Sequence, residues 1–293
     1  MTSDSPACPV CGLPTEPAGS KVSARAQRTF FLRHCPSCRF TFIANPWTAY
    51  GEIYDEAYYR GRGADPMVDY VEEMNNPRRT IRVHEWAGIL EAVSSLTPVT
   101  SSTRWLDYGC GNAMLVRHVR DTARADAVGF EEGWIADEAR RRGGPVVTAA
   151  ELPALEGTCD VVTAIEVLEH VADPLEVLRS IRTLLKPGGL FFYTTGNARP
   201  HRGRVAEWPY CIPEIHISFY EPGTLETALH ATGFKTTQAG YLPGYTDIIR
   251  FKALKNLGYK TRGGLQKALP WSVVSRILDS YMGILKHPIA WAV

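Results

Sequence analysis

Two pairs of cysteines open the chain. Cys8 and Cys11 stand two residues apart in "CPVCG", and Cys35 and Cys38 repeat the spacing in "HCPSC". A CxxC turn directs two thiolates at one point, and two such turns complete a tetrahedral four-cysteine zinc site. Four cysteines leave the metal no open position. Zinc there would be structural, holding together a segment too small to build its own core. The other reading of a CxxC, a redox dithiol, calls for a preceding strand in a βαβ setting, and neither pair has one. Cys110, Cys159 and Cys211 lie far from both pairs and read as small buried apolar residues.

A second constellation is "WLDYGCGNA", residues 105–113. Gly109 and Gly111 let the backbone turn sharply and approach a ligand, and the helix start beyond them offers free N–H groups. A glycine pair is weak by itself. The third glycine of a dinucleotide motif would fall on Met114, and Asp107 precedes the first glycine. Its charge repels a pyrophosphate and attracts a ligand carrying an amine and a sulfonium. Glu131 closes "VGFEE", where an acid accepts both hydroxyl hydrogens of a ribose. Two carboxylates on adjacent strand ends suit S-adenosylmethionine (SAM) better than a nicotinamide dinucleotide.

The elements that must hold these residues follow from pattern. From residue 103, short apolar runs ("RWLDYG", "AVGFEE", "CDVVTAIEV", "LFFYTTG") alternate with helical stretches. That alternation predicts an α/β fold: a Rossmann-like, doubly wound, mostly parallel sheet with helices on both faces. "PLEVLRSIRTLLKPGG" reads as an amphipathic helix with a Lys-Pro-Gly-Gly stop. "HATGFKTTQAGYLPGY" supplies a last helix end and strand, so the core runs to about 245. Residues 46–76 read as a connector with a short helix, and 78–96 as a helix with Val83, Trp86, Ile89, Leu90, Val93 and Leu96 on one side. Residues 265–285 read as one helix with an apolar face of Leu269, Val273, Val274, Ile277, Leu278, Tyr281, Met282 and Leu285, and Pro270 near its first turn.

The 293 residues are 45% hydrophobic and 22% charged, ordinary for a globular protein, and a net charge of +1 gives no global pull toward nucleic acid or membrane. The charge is uneven: residues 250–293 carry eight cations, Lys267 and Lys286 among them, against Asp279 alone, which leaves the remainder acidic. The first twenty residues lack the charged start and apolar run of a signal peptide, and no run reaches the ~18 apolar residues of a membrane span. A cytoplasmic protein with thiols and metal rather than disulfides is expected.

The stretch 105–131 resembles the cofactor core of class I SAM-dependent methyltransferases. "AAELPALEGTCDVVTAIEVLEHVADP", "LRSIRTLLKPGGLFFYTTGN" and "PEIHISFYEPGTLETALHATGF" resemble later pieces of that family in the same order. "CPSCRFTFIANP" with "YDEAYY" resembles the zinc-bearing front end of a subgroup acting on sugars and glycans. The resemblance covers roughly residues 8–245. It implies a zinc module over 1–45, a helical connector or lid over 46–100, a SAM-binding core over 101–245 and a basic, helical extension over 246–293. It implies that Asp107, Gly109, Cys110, Gly111 and Asn112 hold the methionine part of SAM and Glu131 the ribose. Ala149 and Ala150 would flank adenine, and Ile165 and Glu166 would line the methionine side. Two positions depart from the pattern: Ala113 ends the glycine motif, and Thr148 stands where an aspartate often meets the adenine amino group.

Methyl transfer to oxygen or carbon needs alignment and a base. His216, in the segment the resemblance puts over the acceptor, is the first candidate, because an imidazole titrates near neutrality. His170 and Tyr59 are the others; a histidine that ties down a helix and tyrosines that pack the front end onto the core are the plain readings of the same residues. The implied enzyme methylates a small-molecule or glycan acceptor, nucleotide- or lipid-linked, at a sugar hydroxyl or a sugar carbon. The alternatives are a zinc-bearing RNA methyltransferase and a non-catalytic SAM-binding module. No stable nucleic-acid complex is expected, since phosphate binding needs many cations on one face. The tail helix would dock on the core, on a second subunit as a homodimer contact, or on a membrane surface.

Overall fold

The computed structural model describes residues 6–23, 25–283 and 285–293; the side chains of Lys267, Tyr281 and Met282, part of the expected tail, lie outside that description. The front end forms β1 (Glu16–Ser23), β2 (Arg28–His34) and β3 (Thr41–Ile43), an antiparallel meander. The connector carries α1 (Tyr50–Ile53) and α2 (Tyr70–Asn75), followed by α3 (Arg82–Leu96). Alternation then sets in: β4 (Arg104–Tyr108), α4 (Met114–Ala123), β5 (Asp126–Phe130), α5 (Trp134–Arg141), β6 (Val146–Val147), β7 (Cys159–Ile165), α6 (Pro174–Leu184) and β8 (Leu185–Thr194). The chain continues through β9 (Ser218–Phe219), α7 (Pro222–Ala231), β10 (Phe234–Thr237), α8 (Tyr245–Asn256), α9 (Leu265–Ala268), α10 (Trp271–Met282) and β11 (Ile289–Ala292).

Seven strands form one sheet in the order β10-β11-β8-β7-β4-β5-β6. The strands from β6 to β8 run parallel, and β11 is antiparallel to both its neighbours. The parallel strands are buried on both faces, as their unbroken apolar runs require: Leu106, Val161, Val162, Ala164 and Phe191 are fully buried. Local chemistry marks the helix starts. Asp173 accepts from Glu176 N–H ahead of Pro174, and Glu221 with Thr224 forms a capping box ahead of Pro222. The doubly wound, mostly parallel sheet read from the sequence is the fold observed.

Two expectations for the tail need correction. The helix read over 265–285 is two helices, broken at Leu269–Pro270, because proline lacks an N–H and drives the residue before it to extended backbone. The extension is also not helical throughout. Its last residues form β11, inserted between β8 and β10, with Ala290 facing Phe191 and Phe234 facing Ala292.

The front end is stitched to the core. Strand β3 pairs with β9, which lies between β8 and α7 in the chain, and Thr224 Oγ1 donates to the Cys38 carbonyl at 2.7 Å. Cys8, Cys35, Phe40 and Phe42 share a buried cluster with Tyr220, Leu225 and Leu229. Among the described residues no helix is long and apolar enough to cross a membrane.

Candidate active site

The carboxyl ends of β4, β5 and β7 meet at one cleft. Strand β4 delivers Asp107, and the turn after it places Gly109 (φ +76°) and Gly111 (φ +53°) in left-handed backbone. A Cβ on Gly109 would lie 2.5 Å from Val167 and one on Gly111 2.6 Å from Tyr70, so both positions require glycine. The cleft is lined by Asp107, Gly109, Cys110 and Asn112 from the motif and Ile165 from the end of β7, with Tyr70, Arg82 and Glu85 from the connector side.

The cleft's lining carries two buried carboxylates, Asp107 and Glu85, against one cation, Arg82. Asp107 is 4% exposed. One of its oxygens accepts from Thr163 Oγ1 at 2.7 Å. Burial pushes its pKa up to about 7, against the Thr163 hydrogen bond and with help from Glu131 and Glu85. Glu85 is fully buried, and its Oε1 has no hydrogen-bond partner while Oε2 takes Arg82 at 2.8 Å. A buried acceptor without a donor is costly, and a cationic ligand in the cleft would supply one. The donor set therefore fits SAM, whose amine and sulfonium are the charges such a site lacks.

The remaining cofactor candidates differ in what they do. Glu131 accepts from Gly111 N–H at 2.9 Å and Glu132 N–H at 3.0 Å, so it braces the glycine turn while keeping lone pairs free. Cys110 is buried under Gly129, and the Asn112 amide donates to Glu73 at 2.8 Å, latching the turn to α2. Ala149 and Ala150 are exposed after β6, and Thr148 is occupied by Glu151, which accepts from both its N–H and its hydroxyl at 2.8 Å. Glu166 sits at the end of β7 with φ +53°, a strained position for a residue with a long side chain. Burial opposes its charge, but the Lys252 ammonium at 2.6 Å holds its pKa at about 2.

His170 and His216 come together, with ring centroids 4.9 Å apart. The His216 Nδ1–H donates to the Tyr210 carbonyl at 2.5 Å and that of His170 to the Ile215 carbonyl at 2.8 Å, which leaves Nε2 as the basic nitrogen of each ring. Burial, with each histidine's surroundings, depresses both: His216 to about 3, helped by His170, and His170 to about 4. Both rings are neutral at physiological pH. Tyr210 donates to Glu169 at 2.5 Å, and burial plus the neighbouring Glu166 charge raises Glu169 to about 8. Glu169, His170 and His216 each bring one potential metal-ligand atom within 4.8 Å of the others. Tyr59 lies elsewhere: it stacks on Trp134 (6.1 Å) and Tyr70 (5.7 Å) beside the glycine turn, and burial raises its pKa so that it keeps its proton. The tyrosine that meets the histidines is Tyr54, whose hydroxyl lies 2.9 Å from His170 Nδ1.

Glu85, Lys252 and Tyr54 escaped the sequence reading. Glu85 did leave a signal, an acid four residues before Ile89 on the apolar side of a helix. Lys252 left none: it reaches the site from α8, outside every motif.

The four cysteines of the front end converge. Cys8 and Cys38 sulfurs are 3.5 Å apart, Cys11 and Cys35 sulfurs 3.4 Å, and all four lie within 4.8 Å of one another. Tetrahedral zinc with ~2.3 Å bonds separates its sulfurs by about 3.8 Å, so the set fits. The two knuckles share one geometry. Gly12 N–H donates to Cys8 O and Arg39 N–H to Cys35 O, both at 2.9 Å, with Gly12 at φ +73° and Arg39 at φ +65°. Four cations of this end have partners inside the protein: Lys21 on the Trp208 carbonyl, Arg25 on that of Arg62, Arg28 on that of Asn45, and Arg33 on Thr15; Arg39 is exposed and has none among the described contacts.

A family model described as "Methyltransferase domain" matches residues 71–239. The ubiquinone biosynthesis O-methyltransferase of Bordetella pertussis is 35% identical over 185 residues, 55% of this chain and 70% of that protein. The protein of the same name from Albidiferax ferrireducens is 34% identical over 125 residues, 38% of this chain and 48% of its own length. The chain spans about half the length of several such relatives. Among solved structures, the complex between the Haloferax volcanii Trm112 methyltransferase activator and a methyltransferase contains a similar chain (TM-score 0.49, 16% identity, 76% of this chain and 97% of that one). An Archaeoglobus fulgidus SAM-dependent methyltransferase aligns at TM-score 0.45 and 15% identity over 77% of this chain and all of that one. With more than half its length matched, the chain belongs to the methyltransferase-domain family and carries the class I SAM-dependent fold.

Proposed function

We propose that the protein transfers a methyl group from SAM to a hydroxyl oxygen of a small-molecule acceptor, with a structural zinc in its front end. The observation that carries this reading is the cleft at the end of β4, where the glycine turn meets two buried carboxylates, Asp107 and Glu85, one oxygen of Glu85 having no partner. Asp107, Gly109, Cys110, Gly111 and Asn112 would hold the methionine part, Glu131 the ribose, Ala149 and Ala150 would flank adenine, and Ile165 with Glu166 would line the methionine side. SAM, when bound, supplies a methyl already activated on its sulfonium.

The chain then has to aim an oxygen and take its proton. His216 would accept that proton at Nε2. Its neutral form is the one a base needs, and an oxygen that is gaining a methyl becomes far more acidic than an imidazolium, so a weak base suffices. The Tyr210 carbonyl would hold the ring, and His170 would stabilise the wall beside it. Trp208 stacks on Tyr210, Tyr210 tilts against His216, and His216, His170 and Tyr54 meet edge to face in turn, a contiguous aromatic wall.

Two acceptor classes suit that wall. The zinc-bearing front end, resembling sugar-acting enzymes, supports a sugar hydroxyl. The names of the curated relatives support a phenolic ring. RNA is disfavoured, because the front end carries few cations and most of them are engaged within the protein.

The test is incubation with methyl-labelled SAM and three acceptor sets: nucleotide sugars, catechol-type phenols and bulk RNA. Label in either small-molecule set, lost about 100-fold in His216→Ala with SAM affinity unchanged, is expected. Label confined to nuclease-sensitive RNA, or full turnover in His216→Ala, would overturn the assignment. SAM binding with no transfer to any set would make this a binding module.

A further inference from the structure

The C-terminal region presents an outward face that the catalytic reading does not use. On α10 the inner side docks: Trp271 is 8% exposed and Ser275 is fully buried against Tyr241. The outer side is apolar where solvent should favour polar residues. Val273 and Ile277, four residues apart and so on one stripe, are 55% and 63% exposed, and Leu269, just ahead of the helix, is 45% exposed. Residues 257–264, between α8 and α9, are exposed without interruption and add Leu257 at 71% and Tyr259.

The charges in this region are predominantly positive. Lys260, Arg262, Arg276 and Lys286 are exposed, and Asp279, the one acid from residue 250 onward, spends its carboxylate on the Leu285 N–H. Exposed aliphatic side chains among unopposed cations describe an interfacial element that lays its apolar stripe into a bilayer and its cations onto anionic headgroups. A self-contact is disfavoured by the same charges, since a two-fold dimer would set this cationic face against its own copy. The loop also rims a recess whose lining includes Tyr259, Lys260, Lys255 and Arg79 together with the acids Asp69, Glu72 and Glu73, and which shares Arg82 with the cofactor cleft.

We propose that α10 and the 257–264 loop seat the protein on an anionic lipid surface. The proposal concerns binding and does not depend on the acceptor's identity.

The test is co-sedimentation of the full chain with phosphatidylcholine vesicles, with or without about one part in four of phosphatidylglycerol. Binding to the anionic vesicles, weakened several-fold in phosphatidylcholine alone and by raised salt, is expected. Val273→Ser/Ile277→Ser should lower the partition coefficient about tenfold while SAM affinity stays as in the wild type. Three results would overturn the proposal: no binding to anionic vesicles at low salt, binding that the double substitution leaves unchanged, or a wild-type dimer in light scattering that the double substitution converts to monomer.

Discussion

Asp107 carries most of the electrostatic character of the cofactor cleft. Its pKa of about 7 lies above the ordinary 3.8 because burial penalises its charge. Between about pH 4 and 7 the folded chain holds a proton that the unfolded chain has lost. The contribution to stability is complete below about pH 4 and disappears as pH rises through 7. The binding of a cation runs the other way. SAM affinity should rise as pH increases through about 7 and level off above it, and Asp107→Asn should flatten that profile and weaken binding at least tenfold; calorimetric titration at pH 6, 7 and 8 measures both. Asp107, Gly109, Gly111 and Glu131 were legible in the sequence because they are close together and each has a local reason to be what it is. The pairing of His170 with His216 was half legible: both rings were candidates, but nothing in one dimension showed that loop 211–217 folds back against the turn after β7. Lys252 and Tyr54 were illegible because their roles come from tertiary approach alone.

Among the elements, the two cysteine knuckles are near copies, and they differ at one informative place. Gly12 occupies left-handed backbone freely, whereas Arg39 holds the same conformation with an exposed side chain and no hydrogen bond among the described contacts. Arg39→Gly should therefore be neutral or stabilising by about 1 kcal/mol, and Arg39→Val, a β-branched residue in that conformation, should destabilise by a similar amount; thermal melts of the zinc-loaded protein decide it. The clip's reach extends beyond its own segment. Ile43 N–H donates to the Ile217 carbonyl at 2.9 Å, and Ser23 hydrogen-bonds Glu214, so the meander braces both sides of His216. Elemental analysis should find one zinc per chain. Cys35→Ser should lower the melting temperature by about 5 °C or more and reduce turnover; full activity in a metal-free variant would show the front end to be independent of the site. The break between α9 and α10 was missed because an apolar stripe can run across a proline, and periodicity weighs the stripe while the backbone obeys the proline.

At the scale of the whole molecule, the alternation of strand and helix made the sheet legible, and the order of motifs made its family legible. The strand β11 was not. "IAWA" is four residues with no alternating pattern, and its place between β8 and β10 is set by two open sheet edges rather than by its own propensity. Deleting residues 287–293 should leave those edges unpaired and yield protein that aggregates and fails to bind SAM, which sedimentation and SAM titration would show. The same deletion removes His287, so loss of binding alone would not identify the cause, whereas loss of solubility would. Function depends on the cleft at the end of β4 being the SAM site that serves the histidine wall. The most direct test is calorimetric titration of SAM, at pH 8, into the wild type, Asp107→Asn and His216→Ala. One site per chain in the wild type, weakened at least tenfold by Asp107→Asn and untouched by His216→Ala, is the predicted result. Equal affinity in wild type and Asp107→Asn, or no binding to the wild type, would contradict it.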